Sequence, residues 1–103
     1  MTFKDREKAF EKKFEHDETM RFKAESRRNA KLAQWACEIM GRRDVEAYRA
    51  ELQVADFEEA GDEDVFRKLR ADCDAHKVEI SDHRIRRHID EAMREAIDEV
   101  KGE

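Results

Sequence analysis

The sequence predicts an all-α fold, a four-helix bundle with a mobile, charged, amphipathic N-terminal extension. Three observations indicate this class. Charged residues make up 48% of the 103-residue chain, proline is absent and only three glycines occur, a balance typical of amphipathic helices. Apolar residues recur at helical spacing in four segments, and no alternating β-branched run indicates a strand. The length is that of a single domain with one core.

The first two helices are predicted to be joined by a short turn. Gly41 follows the last apolar residue of the first helix and can take the left-handed conformation that closes a helix. Asp44 is a candidate N-cap for a second helix of about 12 residues. So short a connection predicts antiparallel neighbours. The apolar stripes are Leu32, Trp35, Ala36, Ile39 and Met40 in the first helix, and Val45, Tyr48, Leu52 and Ala55 in the second.

The third and fourth helices follow a run of acidic residues at 56–64, which is interpreted as a solvated connection. Asp62 is predicted to cap the third helix and Ser81 the fourth. Ile80 and Ile85 flank the second cap at the spacing of a hydrophobic staple. The stripes are Val65, Phe66, Leu69, Cys73 and His76 in the third helix, and Ile85, Ile89, Ala92, Met93, Ala96, Ile97 and Val100 in the fourth.

Charge and motif content exclude several classes of function. The formal net charge is -5, and Lys and Arg are interleaved with acids, which argues against a nucleic-acid partner. No segment resembles a secretory leader or a membrane span, so we predict a cytoplasmic protein without membrane insertion. No phosphate-binding loop, dinucleotide fingerprint or nucleophile elbow is present. We therefore predict no enzymatic activity and no cofactor.

Cysteine and histidine spacing gives little sign of a metal site. Cys37 and Cys73 are predicted to be free thiols that pack as small hydrophobes. Cys73 and His76 lie one helical turn apart and could supply two metal ligands, but no second pair completes a site. Core packing of Cys73 is therefore expected, and no metal is predicted. His83 and His88 are interpreted as solvated surface.

The N-terminal stretch "FKDREKAFEKKFEHDE" sets three aromatic residues among charges. Phe3, Phe10 and Phe14 fall on one face of an ideal helix. We therefore predict a docking segment at 1–18 and a four-helix bundle at 19–103. Charged residues occupy the same face between this segment and the first apolar stripe, and they are expected to separate the phenylalanines from the core. These residues are Asp17, Arg21, Glu25 and Arg28.

Several roles remain open for these features. The phenylalanine segment could fold back onto the bundle as a fifth layer, or dock on a partner as a helix formed on binding. His16, at the junction, is a candidate pH-sensing group or an exposed histidine without a role. Basic residues near the Ser81 helix start make a nucleotide-sensing bundle an alternative function, and an adaptor for another partner is a third. The basic residues concerned are Arg84, Arg86 and Arg87.

Four stretches carry a family resemblance over nearly the entire chain: "FKDREKAFEKKFEHDE", "RFKAESRRNAKLAQWA", "ADFEEAGDEDVFRKLRADCDA" and "SDHRIRRHIDEAM". They resemble the zeta subunit of alphaproteobacterial F-type ATP synthases. The resemblance implies a four-helix bundle that inhibits ATP hydrolysis by inserting its N-terminal segment into the catalytic head and blocking rotation. We expect the free protein to be a monomer. It implies that partner contacts come from Phe3, Asp5, Arg6, Phe10, Lys13 and Phe14.

Overall fold

The computed structural model describes residues 17–58 and 61–103. These residues form four helices and no strand: α1 (Glu18–Met40), α2 (Val45–Ala55), α3 (Glu63–Ala75) and α4 (Asp82–Lys101). The predicted all-α four-helix architecture is confirmed. The predicted N-terminal extension lies outside the described residues except for its last two positions.

Local sequence signals explain where α1 ends and α4 begins. Gly41 adopts the left-handed conformation with φ 74°, and its N–H donates to the carbonyl of Cys37, as a glycine without a Cβ strain penalty can. At the other boundary, the Ser81 hydroxyl accepts a hydrogen bond from the N–H of Arg84 at 3.2 Å. Both predicted boundary residues are confirmed in their roles.

The two aspartates predicted as N-caps precede their helices but do not make the capping bond. Neither Asp44 nor Asp62 accepts a hydrogen bond from the first turn of its helix. The Asp44 carboxylate is instead bound by the guanidinium of Arg42, at 2.9 and 2.6 Å. Both carboxylate oxygens of Asp44 accept from Arg42 in a bidentate pair, a geometry that favours the ion pair over the capping bond.

Contacts between helices show an up-down-up-down order. The end of α2 lies beside the middle of α1, where Gln53 accepts a hydrogen bond from Asn29. Tyr48 of α2 bonds Asp72 near the end of α3, so these two helices are antiparallel as well. The Lys31 ammonium of α1 reaches Glu99 near the end of α4 at 3.1 Å. Each helix therefore runs opposite to the one before it, as short connections require.

The core consists of two groups of buried side chains. The larger joins all four helices and includes the fully buried Tyr48, Leu52 and Leu69. The smaller lies between the start of α1 and the end of α4, where Ala24 packs with two buried residues of α4. The α4 residues of this smaller group are Ala96 and Val100, with Met20, Met93 and Ile97 partly buried against it.

The smaller core group corrects one expectation about the start of α1. Charges at Asp17, Arg21, Glu25 and Arg28 were expected to end the apolar face before Leu32. Instead, Ala24 is fully buried and Arg28 is only 3% exposed. The core continues toward the start of α1 because α4 is long enough to cover this part of it. Arg28 is accommodated by a buried ion pair rather than by solvent.

Candidate functional site

The predicted partner-binding residues lie outside the described part of the chain. These are Phe3, Asp5, Arg6, Phe10, Lys13 and Phe14, together with the candidate pH-sensing His16. Their roles, and the division of the chain at residue 18, stay predictions.

The structure does describe the point at which this segment joins the bundle. Asp17 has extended backbone dihedrals, φ -96° and ψ 98°. Its carboxylate accepts a hydrogen bond from the N–H of Met20 at 3.1 Å, the arrangement of an N-cap. Because an N-cap residue is not itself helical, α1 begins at Glu18.

A shallow groove lies directly beside this junction, on the first two turns of α1. Its volume is about 530 Å³. Phe22 lies in the groove with 56% of its surface exposed. Carboxylates of Glu18 and Glu25 line the same groove, and Arg21 pairs with Glu25 at 3.7 Å. The other lining residue is Thr19.

A buried polar cluster holds the end of α2 against α1 just beyond the groove. The Arg28 guanidinium donates to the Asp56 carboxylate at 2.9 Å, and both side chains are at least 92% buried. Asn29 donates to the same carboxylate at 3.1 Å and to Gln53 at 3.0 Å. The Arg28 Nε atom donates to the Asn29 side-chain oxygen at 3.2 Å. The cluster pairs a buried charge and supplies further hydrogen bonds, as low-dielectric surroundings require.

This cluster also corrects the interpretation of the acidic run at 56–64 as a solvated connection. Asp56 is paired with Arg28 beneath the surface, and Asp64 is 2% exposed. The connection is therefore anchored at Asp56 and again at the first turn of α3. A run of acids alone does not reveal this, because Asp56 and Arg28 are 28 positions apart in the sequence.

The carboxyl group of Glu25 lies between the groove and the buried cluster. Partial burial raises its pKa, and the nearby Asp56 and Asp64 carboxylates raise it further, against the opposing effect of Arg28 and Arg21. A raised carboxyl pKa means that the folded chain binds a proton more readily than the unfolded chain. The contribution of Glu25 to stability therefore falls as pH rises from its ordinary pKa to the raised one.

Two of the three candidate nucleotide-binding arginines already hold carboxylates. Arg86 binds Glu63 through two nitrogens, each at 3.0 Å, and its guanidinium lies 3.8 Å from the centre of the Phe66 ring. Its hydrogen bond lowers the pKa of Glu63. Arg87 donates to Glu91 at 3.1 Å, whereas the side chain of Arg84 is exposed. An anion would have to compete with these carboxylates for Arg86 and Arg87.

One aromatic contact was missed by the sequence analysis. The rings of Trp35 and His88 stack with centroids 4.0 Å apart, so His88 is half-buried rather than fully solvated, whereas His83 is exposed. No spacing rule could identify this pair, because its members lie on α1 and α4 and meet only when the helices pack.

The cysteines are free, as predicted. Cys37 and Cys73 are both buried, and burial raises the pKa of each thiol, which makes both poor nucleophiles. His76 is exposed at the end of α3, so Cys73 and His76 do not face each other as ligands. Among the described residues, no three His, Cys, Asp or Glu side chains form a group that could hold a metal ion.

Comparison with known proteins gives a family for this chain. None of the helices in the described ranges has the length and apolar character needed to cross a membrane. No curated protein matched the sequence. A family model described as ATPase inhibitor subunit zeta matches residues 1–99. The match covers nearly the full length of the bundle and all of the preceding segment, and the chain belongs to the ATPase inhibitor subunit zeta family.

Proposed function

We propose that this protein is a non-catalytic, cytoplasmic inhibitor of ATP hydrolysis by an F-type ATP synthase. Residues 2–18 enter the catalytic head at an interface between subunits and block rotation, while the bundle remains outside. The observation that carries the proposal is the family match, which extends over residues 1–99 and therefore includes this segment.

The start of α1 after Asp17 supports separate roles for the N-terminal segment, which inserts, and the bundle, which remains outside. Asp17 caps α1 in an extended conformation, so α1 begins at the end of the proposed inhibitory segment. Phe3, Phe10 and Phe14 can then serve as anchors in a partner groove, where each buried ring contributes roughly 1.5–3 kcal/mol. Ordering a dozen residues costs on the order of 12 kcal/mol or more. Charged contacts must therefore contribute as well, and binding should weaken with salt.

Deleting residues 2–14 tests the proposal directly. The truncated chain keeps Asp17 and all four helices, so it should still show helical circular dichroism and a cooperative unfolding transition. Its inhibition of ATP hydrolysis by the ATP synthase head should be lost. Equal inhibition by the truncated and full chains would exclude residues 2–14 as the inhibitory segment. No inhibition by the full chain would refute the proposed function itself.

A further inference from the structure

Within residues 17–58 and 61–103, one face of α1 has no helical partner. Phe22 precedes Asn29 by seven residues, so both lie on nearly the same face of α1 at two levels. At the upper level, Asn29 bonds Gln53 and Asp56 at the end of α2. At the lower level α2 has already ended at Ala55, and Phe22 remains 56% exposed. The layer that α2 forms therefore stops short of the start of α1.

A second aromatic residue marks the edge of this uncovered face. Phe57 follows Asp56 directly and is 74% exposed. Its position is fixed by the neighbouring Asp56, which Arg28 and Asn29 hold against α1. Single exposed hydrophobic residues are common. Here, however, Phe22 lies in a groove, and Phe57 lies just beyond the end of α2, where the layer formed by α2 stops. The arrangement fits an amphipathic helix that continues the layer of α2.

We infer that residues 3–14 of the same chain dock on this face, antiparallel to α1, in a resting form of the protein. The dimensions agree: residues 3–14 and the part of α1 from Glu18 to Asn29 are both twelve residues long, and twelve helical residues span about 18 Å. Residues 15–17 would form the connection, within the usual length of a helix hairpin. The extended backbone of Asp17 gives the chain a change of direction at the required place.

Charge and tethering favour this occupant. Residues 1–16 contain five Lys and Arg against four Asp and Glu, whereas the rest of the chain contains seventeen against twenty-three. The groove that holds Phe22 is lined by the acids Glu18 and Glu25, together with Arg21. A short tether gives an effective concentration in the mM range, so even weak affinity would populate the docked form. On the proposed function, the docked form is the one in which the inhibitory segment is withheld from the ATPase.

Replacing Phe22 with serine tests this inference through the direction of its effect. Phe22→Ser should release residues 3–14 from this face. The protein concentration needed for half-maximal inhibition should then fall about three- to tenfold, because a larger fraction of the molecules has the segment free to bind the ATPase. Ile39→Ser is the matched control, since Ile39 is an exposed residue near the far end of the same helix, and it should leave inhibition unchanged. Unchanged or weaker inhibition by Phe22→Ser would overturn the inference. Weaker inhibition would indicate that this face of α1 contacts the ATPase.

A second measurement needs no ATPase and therefore separates the two proposals. In the ¹H–¹⁵N spectrum of the full chain, Phe10→Ser should shift the amide signals of Phe22, Glu25 and Phe57. Lys12→Ser, on the opposite face of an ideal helix, should shift them much less. Changes confined to residues 1–18 in the Phe10→Ser spectrum would overturn self-docking, even if the full chain proves to be an inhibitor.

Discussion

Replacing Asp56 with alanine should lower the free energy of unfolding by about 3–5 kcal/mol, the usual loss when one partner of a buried ion pair is removed. The Arg28 guanidinium would be left 96% buried without its carboxylate. Asn29 would lose a hydrogen-bond acceptor at the same time. Urea unfolding followed by circular dichroism at pH 7 measures the difference, and the large loss identifies this cluster as the main link between α1 and the end of α2.

Two further variants make this prediction specific to the cluster. Glu58→Ala removes an exposed acid from the same connection and should change stability by no more than about 0.5 kcal/mol. Combining Arg28→Met with Asp56→Ala removes both charges, so the double variant should lose less than the sum of the two single variants. A loss below about 1 kcal/mol for Asp56→Ala would show that the cluster contributes little net stability.

Replacing Phe10 and Phe14 together with serine should raise the concentration needed for half-maximal inhibition by roughly 100-fold or more. Two buried phenylalanine rings contribute about 3–6 kcal/mol together, and each 1.4 kcal/mol corresponds to a factor of about ten in affinity. The measurement is a titration of ATP hydrolysis by the synthase head at about 0.15 M salt, where long-range charge effects are screened beyond roughly 8 Å.

Lys12→Ser provides the control for the phenylalanine prediction. Lys12 lies on the opposite face of an ideal helix from Phe10 and Phe14, so its replacement should change the half-maximal concentration by less than about threefold, the equivalent of a weak exposed charge contact. Equal effects of Lys12→Ser and the double phenylalanine variant would argue against a single apolar docking face.

Local sequence signals predicted the helices well because their causes are local. Gly41 ends α1 through its own backbone conformation, and Ser81 begins α4 through a bond to a residue three positions away. The buried pair of Arg28 with Asp56 could not be predicted in this way. Each residue alone has the composition of a solvated surface, and only the packing of α2 on α1 brings them together.

The same distinction applies to the candidate site. The shared face of Phe3, Phe10 and Phe14 follows from helical periodicity, which a sequence contains in full. The position of Phe22 on an uncovered face does not, because it depends on where α2 ends relative to α1. Likewise, the sequence does not reveal that Arg86 binds Glu63 and packs on the Phe66 ring, because these contacts form only when α3 and α4 pack together.

Site-specific photo-cross-linking tests the proposed insertion most directly. A benzophenone amino acid replaces Phe10 in one full-length variant and Ile39 in another, and each is irradiated with the ATP synthase head during ATP hydrolysis. We expect the label at position 10 to cross-link to subunits that form a catalytic interface, in proportion to the loss of hydrolysis, and the label at position 39 to give no such product. Inhibited enzyme in which position 10 is not cross-linked but position 39 is would contradict insertion of the N-terminal segment.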